Sequence, residues 1–440
     1  MKNGDLQSGY VKRGQSLFLL SFGFLIAVGT LLLKIPGMYR PDVLPWLDAL
    51  FTATSAVCIT GLASVPISDF SFPGQLVILL LIQFGGLGIM TLSASILLAL
   101  GKGLSLGNSL LISNLNDKFS LRGTESLLRT VMVYTFAAEA AGVVAILPGV
   151  LASGYGFPEG LWGACFLSVS SFCNAGMTTF RDSLVGIHRS TQLASSILSI
   201  TGGLGVYVIY DLLQVARRRQ NRLRVHSKLV LLTTALLLAA GTAGIWLCGW
   251  VTGQSIDWFD AYFFSVTART CGCYSSGVAA LPNISRILLM LLMLIGGSPG
   301  STAGGIKTST IALALAAIVS TLRGDPETLV FKRHIPNINV LRSFTIILLF
   351  TLIGCLGVLL LGLFEQELEL SDTAFEAVSA LSTTGLSVGD TTSRLSENGK
   401  LLLVAFMFIG RVGPFTLLLF LMGREKPGQL KYPEERVIIG

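Results

Sequence analysis

Eight long apolar windows alternate with polar connections, near residues 15–34, 75–100, 130–152, 190–214, 228–252, 286–318, 341–363 and 398–422. A helix needs about 20 apolar residues to cross a bilayer core, and these windows have that length. Between the members of each pair lies a segment too short and too polar to span. The four are DALFTATSAVCITGL (48–62), GACFLSVSSFCNAGM (163–177), FDAYFFSVTARTCGC (259–273) and DTAFEAVSALSTTGL (372–386). They superimpose. Each places an aromatic ten residues before a shared glycine: Phe51/Gly61, Phe166/Gly176, Tyr262/Gly272 and Phe375/Gly385.

A second glycine marker follows each segment: GGLGIM (85–90), GGLGVY (202–207), GGSPGS (296–301) and GRVGPF (410–415). It begins 24, 26, 24 and 25 residues after the first glycine. Two markers keeping step four times define four in-line units, 1–100, 101–214, 215–318 and 319–440. Each unit reads as a span, a half-helix that enters the membrane and stops, and a second span. The expected fold is an all-α polytopic membrane protein. Its four re-entrant pore helices would surround a pseudo-fourfold central pore.

Composition fits. Charged residues make up 12% and hydrophobic ones 52%, against about 25% charged in soluble domains. Little room remains for a soluble domain. The polar start followed by a span-length apolar run reads as a first span rather than a cleaved leader. The segments 1–13, 101–129, 215–228, 320–342 and 423–440 hold 21 of the 31 Lys and Arg. The positive-inside rule puts them, and both termini, on the cytoplasmic side. The densest run, RRRQNRLRVHSK (217–228), lacks any acid. Such a run can meet anionic lipid or nucleic acid. Beside a span it reads as a membrane anchor, and no nucleic-acid partner is expected. The seven cysteines lie in or beside apolar segments, and Cys271-x-Cys273 lacks zinc-site spacing.

The residues entering the four turns are Ile59, Thr60 and Gly61; Asn174, Ala175 and Gly176; Thr270, Cys271 and Gly272; Thr383, Thr384 and Gly385. None is acidic, so coordination of a cation by side chains is not expected. What they share is glycine, whose backbone freedom lets carbonyl oxygens turn inward. Rings of such carbonyls can replace the hydration shell of a weakly hydrated cation. The negative C-terminal ends of four half-helices would add to the attraction.

The stretch GGSPGSTAGGIKTST (296–310) interrupts the sixth apolar window. Lys307 at mid-bilayer would cost roughly 2.5–3.5 kcal/mol on insertion scales. Non-helical backbone at that depth must be buried in protein or line an aqueous cavity. The expectation is a flexible plug formed by Gly296, Gly297, Ser298, Gly300, Ser301, Thr302, Gly304, Gly305 and Lys307. Arg411 stands where the other units have Gly86, Gly203 and Gly297, and is the expected partner of the plug. Elsewhere the second glycine set is expected to serve close helix packing. Lys307 either competes with Arg411 or snorkels to the interface.

The sequence is similar to the KtrB family of potassium-transporter membrane subunits, within the Trk/Ktr/HKT superfamily. The resemblance rests on V-C-I-T-G-L, F-C-N-A-G-M, A-R-T-C-G, S-T-T-G-L, the G-G-S-P-G-S-T-A-G-G-I-K run and the terminal K-Y-P-E-E-R-V-I-I-G, and covers essentially the whole chain. It implies Na⁺-dependent K⁺ uptake across the bacterial cytoplasmic (inner) membrane. The K⁺ would be held by backbone carbonyls of a selectivity filter with one glycine per unit, Gly61, Gly176, Gly272 and Gly385. Residues 296–310 would form the gate loop and Arg411 its partner. The resemblance further implies a homodimer on a cytoplasmic KtrA-like ring of nucleotide-binding subunits, with no cofactor held by this chain and Na⁺ as activator or coupling ion. Cys271 and Cys273 depart from the family pattern around the third glycine. Gly61 stands where a serine marks some sodium-permeable relatives.

An alternative is an ion-coupled secondary transporter of another small solute, with broken helices and a midplane site. Four units in the same direction and a lone intramembrane candidate, Glu139, weigh against it. Enzymatic chemistry is not expected, because His188, His226 and His334 fall outside the predicted spans and no nucleophile–base pair is formed.

Overall fold

The computed structural model describes residues 19–41, 43–102, 121–218, 220–325 and 327–413, with side chains omitted at 89–102 and 121–128. The C-terminal motif, the end of the last predicted span, Arg219 and much of the first two basic segments lie outside the described residues. Among the described residues the regular structure is helical, apart from a small hairpin pairing Leu329–Val330 with Arg333–His334 and two isolated bridges, Tyr39 with Phe70 and Ile295 with Ile306.

In chain order the helices are α1 (Leu19–Leu33), α2 (Trp46–Val57), α3 (Phe72–Lys102), α4 (Leu121–Ala152), α5 (Phe157–Cys173), α6 (Arg189–Leu204) and α7 (Val206–Ala216). There follow α8 (Val225–Val251), α9 (Trp258–Thr267), α10 (Asn283–Leu294), α11 (Thr308–Leu322), α12 (Asn337–Phe364), α13 (Leu370–Ser382) and α14 (Glu397–Val412). Among the described residues three helices are long and apolar enough to cross a membrane: Arg129–Ala152 of α4, α8 and α12. The window 75–100 lies on the 31-residue α3, and the remaining ones fall on shorter apolar helices or on broken ones. The protein is a membrane protein, and its helices expose large apolar side chains such as Leu236, Trp250, Leu348 and Leu359.

Two windows are not single helices. The predicted span 190–214 is bent by 96° between α6 and α7. Gly205 makes the break with φ +81°, and the position of its missing Cβ is filled by Ser298 and Pro299 of the 296–310 stretch. The window 286–318 divides into α10 and α11 around that stretch. His226, predicted to precede its span, lies in the first turn of α8.

The four short helices α2, α5, α9 and α13 lie at the centre of the fold. Phe51, Phe166 and Phe375 of the shared aromatic position are fully buried. The short helices pack in rotation: α5 on α3, α9 on α6, α13 on α10 and α2 on α14. The last contact joins the end of the described chain to its beginning, so the packing closes into a ring.

A recurrent polar position reinforces it. Gln75, Gln192, Arg286 and Lys400 each stand ten residues before the second glycine marker. Gln75 accepts from Trp162 at 2.7 Å, Arg286 pairs with Asp372 at 3.2 Å, and Lys400 pairs with Asp48 at 2.8 Å. At the remaining contact Arg189 pairs with Asp257 at 2.8 Å, while Gln192 bonds the carbonyls of Leu184 and Ile187. Lys400→Met should therefore lower stability by about 1–3 kcal/mol, the scale for a charged hydrogen bond lost from a largely buried site. A thermal melt of the detergent-solubilised protein measures this, and an unchanged midpoint would show the ring contact to be dispensable.

Candidate functional site

The four turns share one backbone conformation. Gly61, Gly176, Gly272 and Gly385 have φ of +96°, +69°, +80° and +87°. Two residues earlier, Ile59, Asn174, Thr270 and Thr383 also have positive φ, at 55°, 58°, 72° and 51°. Left-handed backbone is unfavourable for β-branched residues such as Ile and Thr, yet three of the four turns carry one. Strain of this kind persists only where surrounding structure imposes it.

The glycines meet at the centre in strict rotation. A Cβ on Gly61 would strike the carbonyl of Ala175, one on Gly176 that of Cys271, one on Gly272 that of Thr384, and one on Gly385 that of Thr60. Every glycine thus faces the carbonyl that precedes the next glycine, and four steps return to the start. No side chain other than hydrogen fits there.

Hydrogen bonds fix three turns alike. The N–H groups of Thr60, Ala175 and Thr384 donate to the carbonyls of Ser55, Ser170 and Ser379 at 2.8, 2.7 and 2.9 Å. The Ser55 and Ser379 hydroxyls also accept from Gly61 and Gly385 N–H at 3.0 and 3.1 Å. The third turn differs. Val266 replaces the serine, and Cys271 N–H reaches back to Thr267 O instead. The fourth turn has an added brace: the buried Glu376 carboxylate accepts from Ser387 Oγ at 2.5 Å, Thr392 Oγ1 at 2.8 Å and Val388 N–H at 3.2 Å.

One face of the ring opens into a cavity of about 250 Å³, lined by the four glycines and by residues that follow them, among them Leu62, Met177, Tyr274 and Ser387. The other face is covered by residues 296–307. The two ends of this stretch are bridged in parallel at Ile295 and Ile306, which closes it into a loop. Gly296 N–H donates to Ile306 O at 2.9 Å, Ile306 N–H to Leu294 O at 3.0 Å and Thr308 N–H to Gly297 O at 3.0 Å.

The stretch touches residues that precede the glycines. Asn174 Nδ2 donates to Thr302 Oγ1 at 2.9 Å, and Thr302 Oγ1 to Phe172 O at 3.2 Å. The missing Cβ of Gly304 leaves room for the Thr383 hydroxyl. Ser298 N–H and Val206 N–H tie the stretch to the α6–α7 break, through Gly203 O and Gly300 O at 3.0 and 3.1 Å. Its glycines thus serve close approach: Gly296, Gly297, Gly300 and Gly304 all sit where a Cβ would collide, and Gly305 has φ +65°.

Arg411 meets this stretch, its Nη1 donating to Thr302 O at 2.5 Å. Lys307 turns back on the same loop, Nζ to Ala303 O at 2.5 Å, and does not reach outward. The second glycines Gly85, Gly202 and Gly410 pack against the carbonyls of Val57, Phe172 and Leu381, each four residues before a ring glycine. In the third unit the corresponding Gly296 faces Gly304 O instead. All twelve predicted turn residues are therefore brought to one centre, with the predicted loop beneath it.

Residues 26–426 match the family described as TrkH, cation transport protein. The chain belongs to this cation transport family. It is 35% identical to Ktr system potassium uptake protein B of Vibrio alginolyticus, across 96% of this chain and 94% of that protein. It is 32% identical to Ktr system potassium uptake protein B of Bacillus subtilis, across 96% of each. Potassium/sodium uptake protein NtpJ of Enterococcus hirae is 33% identical, across 98% of each. The fold resembles the crystal structure of the potassium transporter TrkH from Vibrio parahaemolyticus, with a TM-score of 0.73 over 93% of this chain and 85% of that one, at 17% identity.

Arg269 and Glu376 complete the site beyond the residues expected from the repeat. Glu376 lies nine residues before Gly385, where the other units have Thr52, Leu167 and Phe263. Its acid is the departure that marks it. Arg269 lies three before Gly272, opposite Cys58, Cys173 and Ser382 of the other units, and it donates to Gly296 O at 3.2 Å.

Proposed function

We propose that this protein takes up potassium ions across the bacterial cytoplasmic membrane, through a filter of backbone carbonyls at the centre of four in-line units. The observation that carries the reading is the cyclic order of the four glycines, each against the carbonyl before the next. Such a ring offers oxygen dipoles without fixed charge, which suits a weakly hydrated monovalent cation. Thr60, Ala175, Cys271 and Thr384 supply the innermost carbonyls, and Ile59, Asn174, Thr270 and Thr383 flank them. Residues 296–310 are the gate and Arg411 its latch. Sodium acts as activator or coupling ion.

The basic connections and both termini face the cytoplasm in this reading, and two copies stand on a ring of nucleotide-binding subunits. The names of the Ktr-system relatives support potassium uptake. Arg217, Arg218 and Arg222 border α7 and α8 and form the docking surface for an acidic rim. Neutralising these three should weaken co-purification of the soluble ring, steeply with salt. A complex unaffected at any ionic strength would confine the arginines to setting topology.

The function is tested by growth rescue of a bacterium lacking its own potassium uptake systems on low-potassium medium. Uptake into liposomes, with and without external sodium, then checks the sodium requirement. Rescue is expected, with uptake rising on sodium addition. Failure of a membrane-inserted protein to move potassium in both assays would refute the proposal.

A further inference from the structure

Arg269 is the cation that this reading leaves without a role. It follows the last turn of α9, three residues before Gly272, and its half-buried side chain lies against the 296–307 loop. Its Nη2 donates to the carbonyl of Gly296. Among the described residues no carboxylate pairs with it, and its Nε has no hydrogen-bond partner. A half-buried guanidinium whose Nε is enclosed without a partner depends on that one carbonyl bond.

The place of the bond is informative. Gly296 begins the loop, at the neck where its two ends are bridged in parallel and Gly296 N–H donates to Ile306 O. Arg411 holds the same loop six residues on, at Thr302 O. The two arginines come from different parts of the chain and grip one short segment, at its neck and at its tip. Displacing the loop requires both bonds to break. The third turn also has Val266 where the other three have a serine, and Arg269 ties it to the loop.

We propose that Arg269 is a second latch of the loop, holding its neck closed as Arg411 holds its tip. The proposal rests on the gate reading above. A purely structural rival exists: a cation after the end of α9 would stabilise the helix dipole whatever the loop does. The two differ in whether the effect of Arg269 requires the loop.

The test is potassium flux in liposomes for Arg269→Gln, Arg269→Lys, a chain lacking residues 299–303, and the Gln change combined with that deletion. Arg269→Gln should raise flux about fivefold by shifting the loop toward its displaced state. Arg269→Lys, which keeps charge and a donor, should stay within about twofold of the parent. In the shortened chain the Gln change should add nothing, since no plug remains to release. If the shortened chain is faster while Arg269→Gln matches the parent, the gate stands and the latch is overturned. Equal multiplication by the Gln change in both backgrounds also overturns it, in favour of the helix-end role. A shortened chain no faster than the parent overturns the gate, and the latch with it. Failure of both Arg269 variants to accumulate as folded protein assigns the residue to folding and overturns the latch.

Discussion

Gly61→Ser should raise the apparent KM for potassium about 5–30-fold and admit sodium. The structural reason is specific. A Cβ at this position would lie 2.5 Å from Ala175 O, 3.2 Å from Gly385 Cα and 3.3 Å from Gly176 Cα. The backbone at φ +96° adds strain of about 1–2 kcal/mol for any residue with a Cβ. Relief requires Gly61 or its neighbour to move, and either movement displaces a carbonyl of the ring. A loss of 1–2 kcal/mol in ion binding gives the stated range at ~1.4 kcal/mol per tenfold. The serine hydroxyl can also enter the ring as an extra ligand, which relaxes discrimination. Serine at Gly176, Gly272 and Gly385 should act alike, because each faces the same kind of carbonyl. Competition between potassium and sodium in uptake assays measures the effect. Unchanged preference in all four variants would remove the filter assignment.

Shortening the loop, or changing Arg411→Ala, should raise potassium flux about tenfold or more while leaving the potassium preference largely intact. Arg411 is buried, and its Nη1 bond to Thr302 O is the hydrogen bond the structure gives it; Nε and Nη2 have no partner among the described residues. A charge-assisted bond of about 1.5–3 kcal/mol shifts a closed–open equilibrium roughly 10–150-fold. Selectivity should survive because the loop's contacts fall on Phe172, Asn174, Arg269 and Thr383, all ahead of the glycines, while the four glycines hold one another. Dependence on a cytoplasmic regulator should fall as well. Variants that insert normally and transport no faster than the parent would show that the loop is not a gate.

Much of this site is legible in the sequence because its parts repeat. The aromatic-to-glycine spacing and the second glycine marker locate all four turns, and the shared positive φ follows from the shared glycine. The order of the turns is not legible: which carbonyl each glycine faces depends on contacts between units more than 80 residues apart. The bend at Gly205 is hidden for a different reason. Residues 190–214 contain no proline, so periodicity alone reads one helix. The break is imposed by Ser298 and Pro299 entering beside Gly205.

The loop illustrates the limit of reading composition. Glycine richness suggests mobility, yet Gly296 and Gly304 are small because backbone carbonyls and the Thr383 hydroxyl occupy the space of a side chain. Arg269 and Glu376 were visible as departures at their repeat positions. A charged residue on a short helix has the same sequence signature when it faces water, and only the fold reveals that Glu376 is fully buried. The hydroxyl braces at Ser55 and Ser379, and their replacement by Val266, are readable once the four segments are aligned on their glycines.

The most direct measurement is the location of a bound ion. Crystals of the protein grown with thallium or rubidium in place of potassium give an anomalous signal at the ion itself. A peak is expected on the axis among the carbonyls of Thr60, Ala175, Cys271 and Thr384, weakened in Gly61→Ser. A dominant peak elsewhere, for example beside the buried Glu139 carboxylate, with none among the four turns, would contradict it.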